Sequence, residues 1–249
     1  MSASQTTARD VIPVHDYVRE RATPLSSLPH DWEFHAALLL TPAEERTMVR
    51  EPAHAAPESL AARLGKLRVL VVPFVGCFET GDAVCFTKPA GETHSAVWVE
   101  AEDRTHLILA CRDLDAHDTG FEFLASVAQL SLPKLIPREL LGYSRLLEEE
   151  LREGVSGEID KEALAARDAY LKFRGTANSK AAQFEKYRNL SLVSTLAEYM
   201  HGLWHDVQIR VGPEHLPVPQ LRRRMMSLAE AFPPNPGYNL FAHDVENKT

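Results

Sequence analysis

The stretch 190–207 gathers the most chemically capable side chains of this sequence. On a helix, at about 100° per residue, five polar side chains between 194 and 208 fall within about 40° of Ser194. They are Ser194, Glu198, His201, His205 and Gln208. The opposite side is apolar, with Leu192, Leu196, Tyr199, Met200, Leu203 and Val207. The spacing therefore predicts an amphipathic helix.

Glu198, His201 and His205 have the residue types and the spacing of metal ligands. Two histidines four residues apart, with a carboxylate three residues before the first, can close on one divalent ion because adjacent helical turns bring their side chains together. Such a set suits zinc or non-haem iron and leaves coordination positions for water. The alternative is that this polar side is the solvated face of a surface helix.

Two further groups combine a histidine with acidic or thiol side chains. Asp115, His117 and Asp118 could bind a cation, although an acid before a helix more often caps its free N–H groups. Cys77 could be a nucleophile only if His94 or His106 lies near it in space. Otherwise the odd count of three cysteines, Cys77, Cys85 and Cys111, is typical of buried free thiols.

Arg222, Arg223 and Arg224 form a basic run at the start of the last helical segment. They could hold a phosphate or an acidic partner, but a solvated face or pairing with acidic helices is the simpler interpretation. The sequence contains no Gly-rich phosphate loop, no Gly-x-Ser-x-Gly, no Cys-x-x-Cys and no His-Glu-x-x-His.

The spacing of apolar residues changes along the chain, from strand-like patterns in the first half to helical patterns in the second. These segments must position the residues named above. Residues 1–28 are polar and predict a loosely ordered arm. Thr41 and Pro42 mark a helix start, and Gly65 closes a short helix. Strand patterns follow at 67–74, 83–87, 95–101 and 105–111, with hairpin-length breaks at 80–82, 89–91 and 102–104.

The second half of the chain has helical patterns, at 120–130, 138–153, 160–173, 180–187, 190–207 and 220–232. The acidic run 148–150 is most simply a solvated face, and Asp160 is a helix cap. We therefore expect an α+β fold in a single domain over 29–249. It has a small, mainly antiparallel sheet of about four strands over 67–112 and a helical part over 118–232.

Composition limits the classes of protein to which this chain can belong. Its 249 residues are 45% apolar and 25% charged, which is typical of a folded globular protein. The net charge of −8 disfavours nucleic acid and acidic membranes as partners. The polar start and the absence of a membrane-length apolar run predict a cytoplasmic location.

The order of elements, a small sheet followed by a helix and then by helices reaching 196–200, resembles zincin metallopeptidases of the anthrax lethal factor type. The resemblance covers about 67–232. It implies that the His-Glu-x-x-His helix of that family falls on 121–125, where Glu122 matches the general base and both histidine positions are apolar. The downstream glutamate ligand of the family would fall on Ser194 or Glu198. The resemblance thus implies a peptidase-like fold without the usual zinc site.

Two functional hypotheses follow. The first is a non-catalytic, zincin-like protein that binds an unknown protein or small molecule and needs no cofactor. The second is a metal-dependent hydrolase or oxygenase in which Glu198, His201 and His205 hold zinc or iron, and Glu122 or Asp118 serves as the base. The enzyme needs the polar stripe of 190–207 turned inward, whereas the binding protein can leave it in water.

Overall fold

The chain folds as an α+β protein, seen in a computed structural model that describes residues 10–205 and 212–241. Its described residues group into two compact units where the sequence predicted one domain. The first unit comprises 10–54 and 64–126, and the second comprises 55–63, 127–205 and 212–241. All the β-strands lie in the first unit, which we call the sheet unit, and the second is the helical unit.

The strands, in chain order, are β1 (Val11–Pro13), β2 (Ser26–Ser27), β3 (Glu33–Ala36), β4 (Leu67–Val72), β5 (Phe74–Phe78), β6 (Gly81–Cys85), β7 (Thr93–His94), β8 (Ala96–Ala101) and β9 (Arg104–Ala110). The helices are α1 (Val14–Glu20), α2 (Pro42–Glu45), α3 (Glu51–Ala55), α4 (Glu58–Leu64), α5 (Ala116–Ser131), α6 (Pro137–Arg152), α7 (Lys161–Lys172), α8 (Ala177–Trp204) and α9 (Val218–Ala231). A π-helical turn, Arg46–Arg50, joins α2 to α3, and 3-10 turns lie at Pro29–Asp31 and Leu132–Lys134.

One sheet of the sheet unit is antiparallel, with strand order β1-β6-β5-β7. Its first strand and α1 come from the segment expected to be a loose arm, and that expectation is wrong from Asp10 onward. Val14, Tyr17 and Val18 of α1 are buried in the same apolar cluster as β4 and β9, so this segment is held by its hydrophobic side chains. The polar composition of 1–28 concealed these few anchoring residues.

The second sheet has the order β2-β3-β4-β9-β8 and is mixed. β3, β4 and β9 run parallel, while β2 and β8 are antiparallel edge strands. The expected small, mainly antiparallel sheet of about four strands is thus two sheets, one of them with a parallel centre. Every residue of β4 is buried, as is usual for a central strand covered on both faces. The continuous apolar run of β4 indicates this burial, but it does not indicate which strands pair with β4.

Most helix caps and turns occur where the sequence predicted them. Thr41 forms a capping box, accepting from the Glu44 N–H at 3.2 Å while its own N–H donates to the Glu44 carboxylate at 2.7 Å. Gly65 follows α4 with φ +73°, a conformation that glycine adopts without steric cost. The β5–β6 and β8–β9 hairpins occur as expected, but the break at 89–91 makes none, because β7 pairs with β5.

The helical unit is built around α8, which packs against α6, α7 and α9. The helix predicted at 180–187 and the one predicted from 190 onward are one continuous helix of 28 residues, Ala177–Trp204, capped by Thr176. The helix ends three residues before the predicted limit at 207. Buried apolar side chains of α6, α8 and α9 form its core, among them Leu147, Leu196, Met200, Met225 and Leu228.

Candidate functional site

The predicted ligands on α8 lie in an interior position. The side chains of His201 and Glu198 are only 5% and 12% exposed, and His201 Nδ1 lies 3.9 Å from Glu198 Oε1. Ser194 is also buried. The interpretation of this stripe as a solvated face is therefore wrong for these residues.

His205 does not continue the helical stripe. Because α8 ends at Trp204, His205 is the C-terminal cap, in extended backbone with φ −131° and ψ 176°, and it is exposed. Its ring centroid lies 6.0 Å from that of His201. The i, i+4 geometry that brings two histidines onto one metal needs helix at both positions, and Gln208 lies outside the described residues. The structure thus brings Glu198 and His201 together and leaves His205 off their helical face.

Glu122 lies in the second turn of α5, between the apolar residues Phe121 and Phe123. Burial raises the pKa of its carboxyl, and the nearby charge of Asp118 raises the pKa further. A carboxyl in such surroundings holds its proton more strongly than an exposed one. Phe121 and Ala125 occupy the two positions where the resemblance would need histidines.

Asp115, His117 and Asp118 converge at the start of α5, with potential ligand atoms within 4.8 Å of one another. Asp115 is the helix cap, since its Oδ1 accepts from the Asp118 N–H at 2.7 Å. Thr119 is buried and donates its hydroxyl to the Asp115 carbonyl at 2.8 Å. The capping interpretation accounts for the position of this acid.

The structure also brings Cys77 and His94 together, the condition under which the sequence made Cys77 a chemical candidate. With Asp82 they form a second group whose ligand atoms all lie within 4.8 Å of one another. His94 Nε2 is 3.4 Å from Asp82 Oδ1. His106 is elsewhere, buried on β9 with Nε2 3.2 Å from the Ala101 carbonyl. Cys77 is at the surface, whereas Cys85 and Cys111 are buried free thiols as expected.

The helical unit contains a pocket of about 390 Å³ formed by α6, α8, α9 and the turn before α6. Six of its lining residues are apolar, namely Leu135, Ile136, Leu192, Leu228, Ala231 and Phe232. The others are Arg138, Glu139, Gly142, Tyr143, Ser227 and Glu230. Its volume lies in the lower part of the range of about 300–1,000 Å³ that is usual for small-molecule sites.

One charge at this pocket is already balanced. Arg63 donates two hydrogen bonds to the Glu139 carboxylate, at 2.6 and 2.7 Å, and its guanidinium lies 5.4 Å from the centre of the Phe232 ring. Burial raises the pKa of the Glu139 carboxyl, but the hydrogen bonds from Arg63 and from the Ile136 N–H, together with the charge of Arg63, outweigh this effect and lower the pKa overall. The pocket therefore combines an apolar wall with a fixed ion pair and the exposed charges of Arg138 and Glu230.

Tyr143 connects this pocket to a buried polar network. Its hydroxyl lies 2.6 Å from Thr195 Oγ1 and 3.0 Å from Ser191 Oγ. Ser191 also accepts from Arg224, whose guanidinium donates to the Glu150 carboxylate at 2.6 Å and to Glu158 at 2.7 Å. The Tyr187 hydroxyl donates to Glu158 at 2.5 Å. A network satisfied in this way holds the facing sides of α6, α8 and α9 in fixed register.

The arginine run of α9 is divided among three environments. Arg224 is 1% exposed, whereas Arg223 pairs with Glu149 near the surface and Arg222 lies 4.2 Å from the centre of the Phe241 ring. Pairing with an acidic helix is confirmed, while the expected solvated face at 148–150 is wrong for Glu150. The sequence contained a signal for the burial of both residues. Arg224 shares its helical face with Leu221, Met225 and Leu228. Glu150 shares its face with Tyr143 and Leu147.

Comparison of this chain with protein-family models, with curated proteins and with solved structures finds no match. Within the described parts of the chain, the helices are too short or too polar to cross a membrane.

Proposed function

We propose that this chain is a non-catalytic binding protein with a zincin-like order of elements, and that its ligand binds in the pocket formed by α6, α8 and α9. The observation that supports this proposal is the pocket, which has an apolar wall and a Tyr143 side chain held by a hydrogen bond to Thr195. Concave sites that combine apolar walls with a few fixed polar groups are the usual form of a small-molecule site. A non-catalytic role agrees with the apolar residues Phe121 and Ala125 beside Glu122.

The lining indicates the chemistry of the ligand. An apolar body would pack on Leu192, Leu228 and Phe232, which are all buried at the wall. A polar or charged end would reach Arg138 or Glu230 at the exposed rim. The ligand class is therefore an amphipathic small molecule, or one apolar side chain of a protein partner with a charged neighbour.

Gly142 provides a direct test of this site. A Cβ atom at Gly142 would meet no heavy atom within 4 Å beyond its chain neighbours and the backbone of its own helix, so this position has room for a substituent. We expect the dye 1-anilinonaphthalene-8-sulfonate to bind the native chain with a fluorescence increase that saturates at one dye per chain. Gly142→Trp, and separately Ala231→Trp from the opposite wall, should weaken this binding at least about tenfold by filling the pocket.

Gly142→Ala is the matched control. It adds a single methyl group and should keep dye binding while raising the free energy of unfolding by up to about 1 kcal/mol, because alanine is the better helix former. Dye affinity unchanged in both tryptophan variants would overturn the assignment of the pocket, provided that circular dichroism shows both variants folded.

The burial of Glu198 and His201 favours a second candidate, a metal-dependent hydrolase or oxygenase with zinc or iron at Glu198, His201 and His205. The two buried side chains offer one oxygen and one nitrogen ligand, and His205 would have to turn toward them. Elemental analysis of untagged protein should then show that a His201→Ala/His205→Ala double variant holds one equivalent of metal less than the native chain. Equal metal content in the double variant and the native chain would eliminate this candidate.

The proposed location is the cytoplasm. Cys77, Cys85 and Cys111 are all free thiols, which a reducing compartment preserves.

A further inference from the structure

We infer that Cys77, Asp82 and His94 form a binding site for a divalent transition metal of the zinc type in the sheet unit. This site is separate from the pocket of the helical unit and does not depend on the function proposed for it. It consists of one sulfur, one oxygen and one nitrogen ligand, drawn from β5, β6 and β7.

The strand register places the three residues on one face of the antiparallel sheet. Cys77 lies directly opposite Asp82, and His94 lies opposite Val75, which is two residues before Cys77. Side chains directly opposite each other share a face, and so do alternate residues along one strand. Val75 and its partner Val84 are fully buried on that face. The proposed site thus lies at the solvent-exposed end of this sheet face, and the other end of the face is packed in the core. The packed end holds the backbone of the three strands in place.

The distances agree with shared coordination. His94 Nε2 and Asp82 Oδ1 are 3.4 Å apart. This separation exceeds the usual range of about 2.7–3.2 Å for a hydrogen bond to oxygen. Two ligands bound tetrahedrally to zinc at about 2.0–2.1 Å lie about 3.3–3.4 Å from each other. The Cys77 sulfur lies within 4.8 Å of one potential ligand atom of His94 and one of Asp82, a distance that rotation of surface side chains can shorten to coordination.

Charge and ligand type select the metal. A thiolate and a carboxylate supply two negative charges, which balance a divalent cation, and a neutral imidazole adds none. Sulfur and imidazole ligands favour zinc over calcium and magnesium, which take oxygen ligands. The side chains of His94 and Asp82 are 37% and 38% exposed, so the fourth position faces solvent. A water molecule or a ligand atom of another molecule can occupy it.

Cobalt(II) is the probe for this site, since it takes tetrahedral zinc positions and reports a thiolate ligand by a charge-transfer band in the near ultraviolet. We expect the metal-free native chain to bind one equivalent of cobalt with this band, and one equivalent of zinc to displace it. Binding should strengthen as the pH rises, because the thiol must lose its proton. Cys77→Ser should abolish the band, and Asp82→Asn or His94→Gln should weaken cobalt binding by about tenfold or more.

Two controls make this result specific. His15→Gln changes an exposed histidine of α1 and should leave cobalt binding unchanged. His201→Ala/His205→Ala should also leave the band unchanged, which separates this site from the α8 candidate. All three ligand positions are at or near the surface, so the metal-free variants should unfold at the same temperature as the native chain. Absence of the thiolate band, or cobalt binding that survives Cys77→Ser at full affinity, would overturn the inference.

Discussion

At the scale of single residues, Glu122 is a carboxyl whose ionisation the fold opposes. Burial is the larger cause of its raised pKa, and the charge of Asp118 is the smaller. The folded chain then holds this proton at pH values where the unfolded chain, with its ordinary pKa near 4.5, has lost it. The contribution of Glu122 to stability is therefore full below about pH 4.5 and is lost as the pH rises through the folded pKa.

Glu122→Gln replaces the ionisable carboxyl by a neutral amide, so it should abolish the loss of stability at higher pH. The variant should be more stable than the native chain at about pH 7, by about 1.4 kcal/mol for each pH unit that separates the folded from the unfolded pKa. The gain should shrink toward zero near about pH 4, as Glu122 of the native chain becomes protonated. Urea unfolding at both pH values measures the difference, with Glu148→Gln on the exposed face of α6 as the control. Equal stability of Glu122→Gln and the native chain at neutral pH would show that burial of this carboxyl has no energetic consequence.

Individual side chains also show how far chemistry can be predicted from the sequence. Cys77 was a candidate only if a histidine lay nearby, and the pairing of β7 with β5 supplies His94. The strand pattern gave no register for this two-residue strand, so the neighbour could not be predicted. On α8 the helical spacing predicted the approach of Glu198 to His201 but not the end of the helix at Trp204.

At the scale of elements, the contact between α6 and α9 depends on the burial of Arg224 among Glu150 and Glu158. The guanidinium and both carboxylates are at most 2% exposed. Arg224→Met should leave two buried carboxylates without their cation and lower the free energy of unfolding by about 3–5 kcal/mol.

Arg223→Met is the matched control, because it removes a partly exposed arginine from the same helix. Its ion pair with Glu149 should contribute no more than about 1 kcal/mol. Chemical denaturation of the two variants compares these values directly. A loss in Arg224→Met no larger than in Arg223→Met would mean that the buried network does not stabilise the helical unit.

The starts of helices could be predicted from nearby residues, whereas the pairing of strands could not. Thr41 and Asp160 cap their helices as predicted, because capping depends on residues within three positions of each other. The parallel pairing of β3, β4 and β9 joins segments separated by more than 30 residues, and an apolar strand such as β4 carries no information about its neighbours. The α+β class could therefore be predicted, while the division into two sheets could not.

At the scale of the whole molecule, the chain has 27 basic and 35 acidic residues, and this acidic balance predicts weak affinity for nucleic acid. The one basic cluster singled out in the sequence, 222–224, is engaged with acidic and aromatic side chains of the same chain. The resemblance to zincin metallopeptidases remains a prediction from the order of elements.

The three cysteines are buried to different extents, so a thiol reagent can modify one of them selectively in the folded chain. Burial raises the pKa of the Cys85 and Cys111 thiols, which keeps them in the less reactive protonated form, while Cys77 is open to solvent. A maleimide fluorophore can therefore be attached at one defined position of the folded chain without engineering. Unfolding exposes all three thiols, so the labelling ratio itself counts folded and unfolded molecules in a mixture.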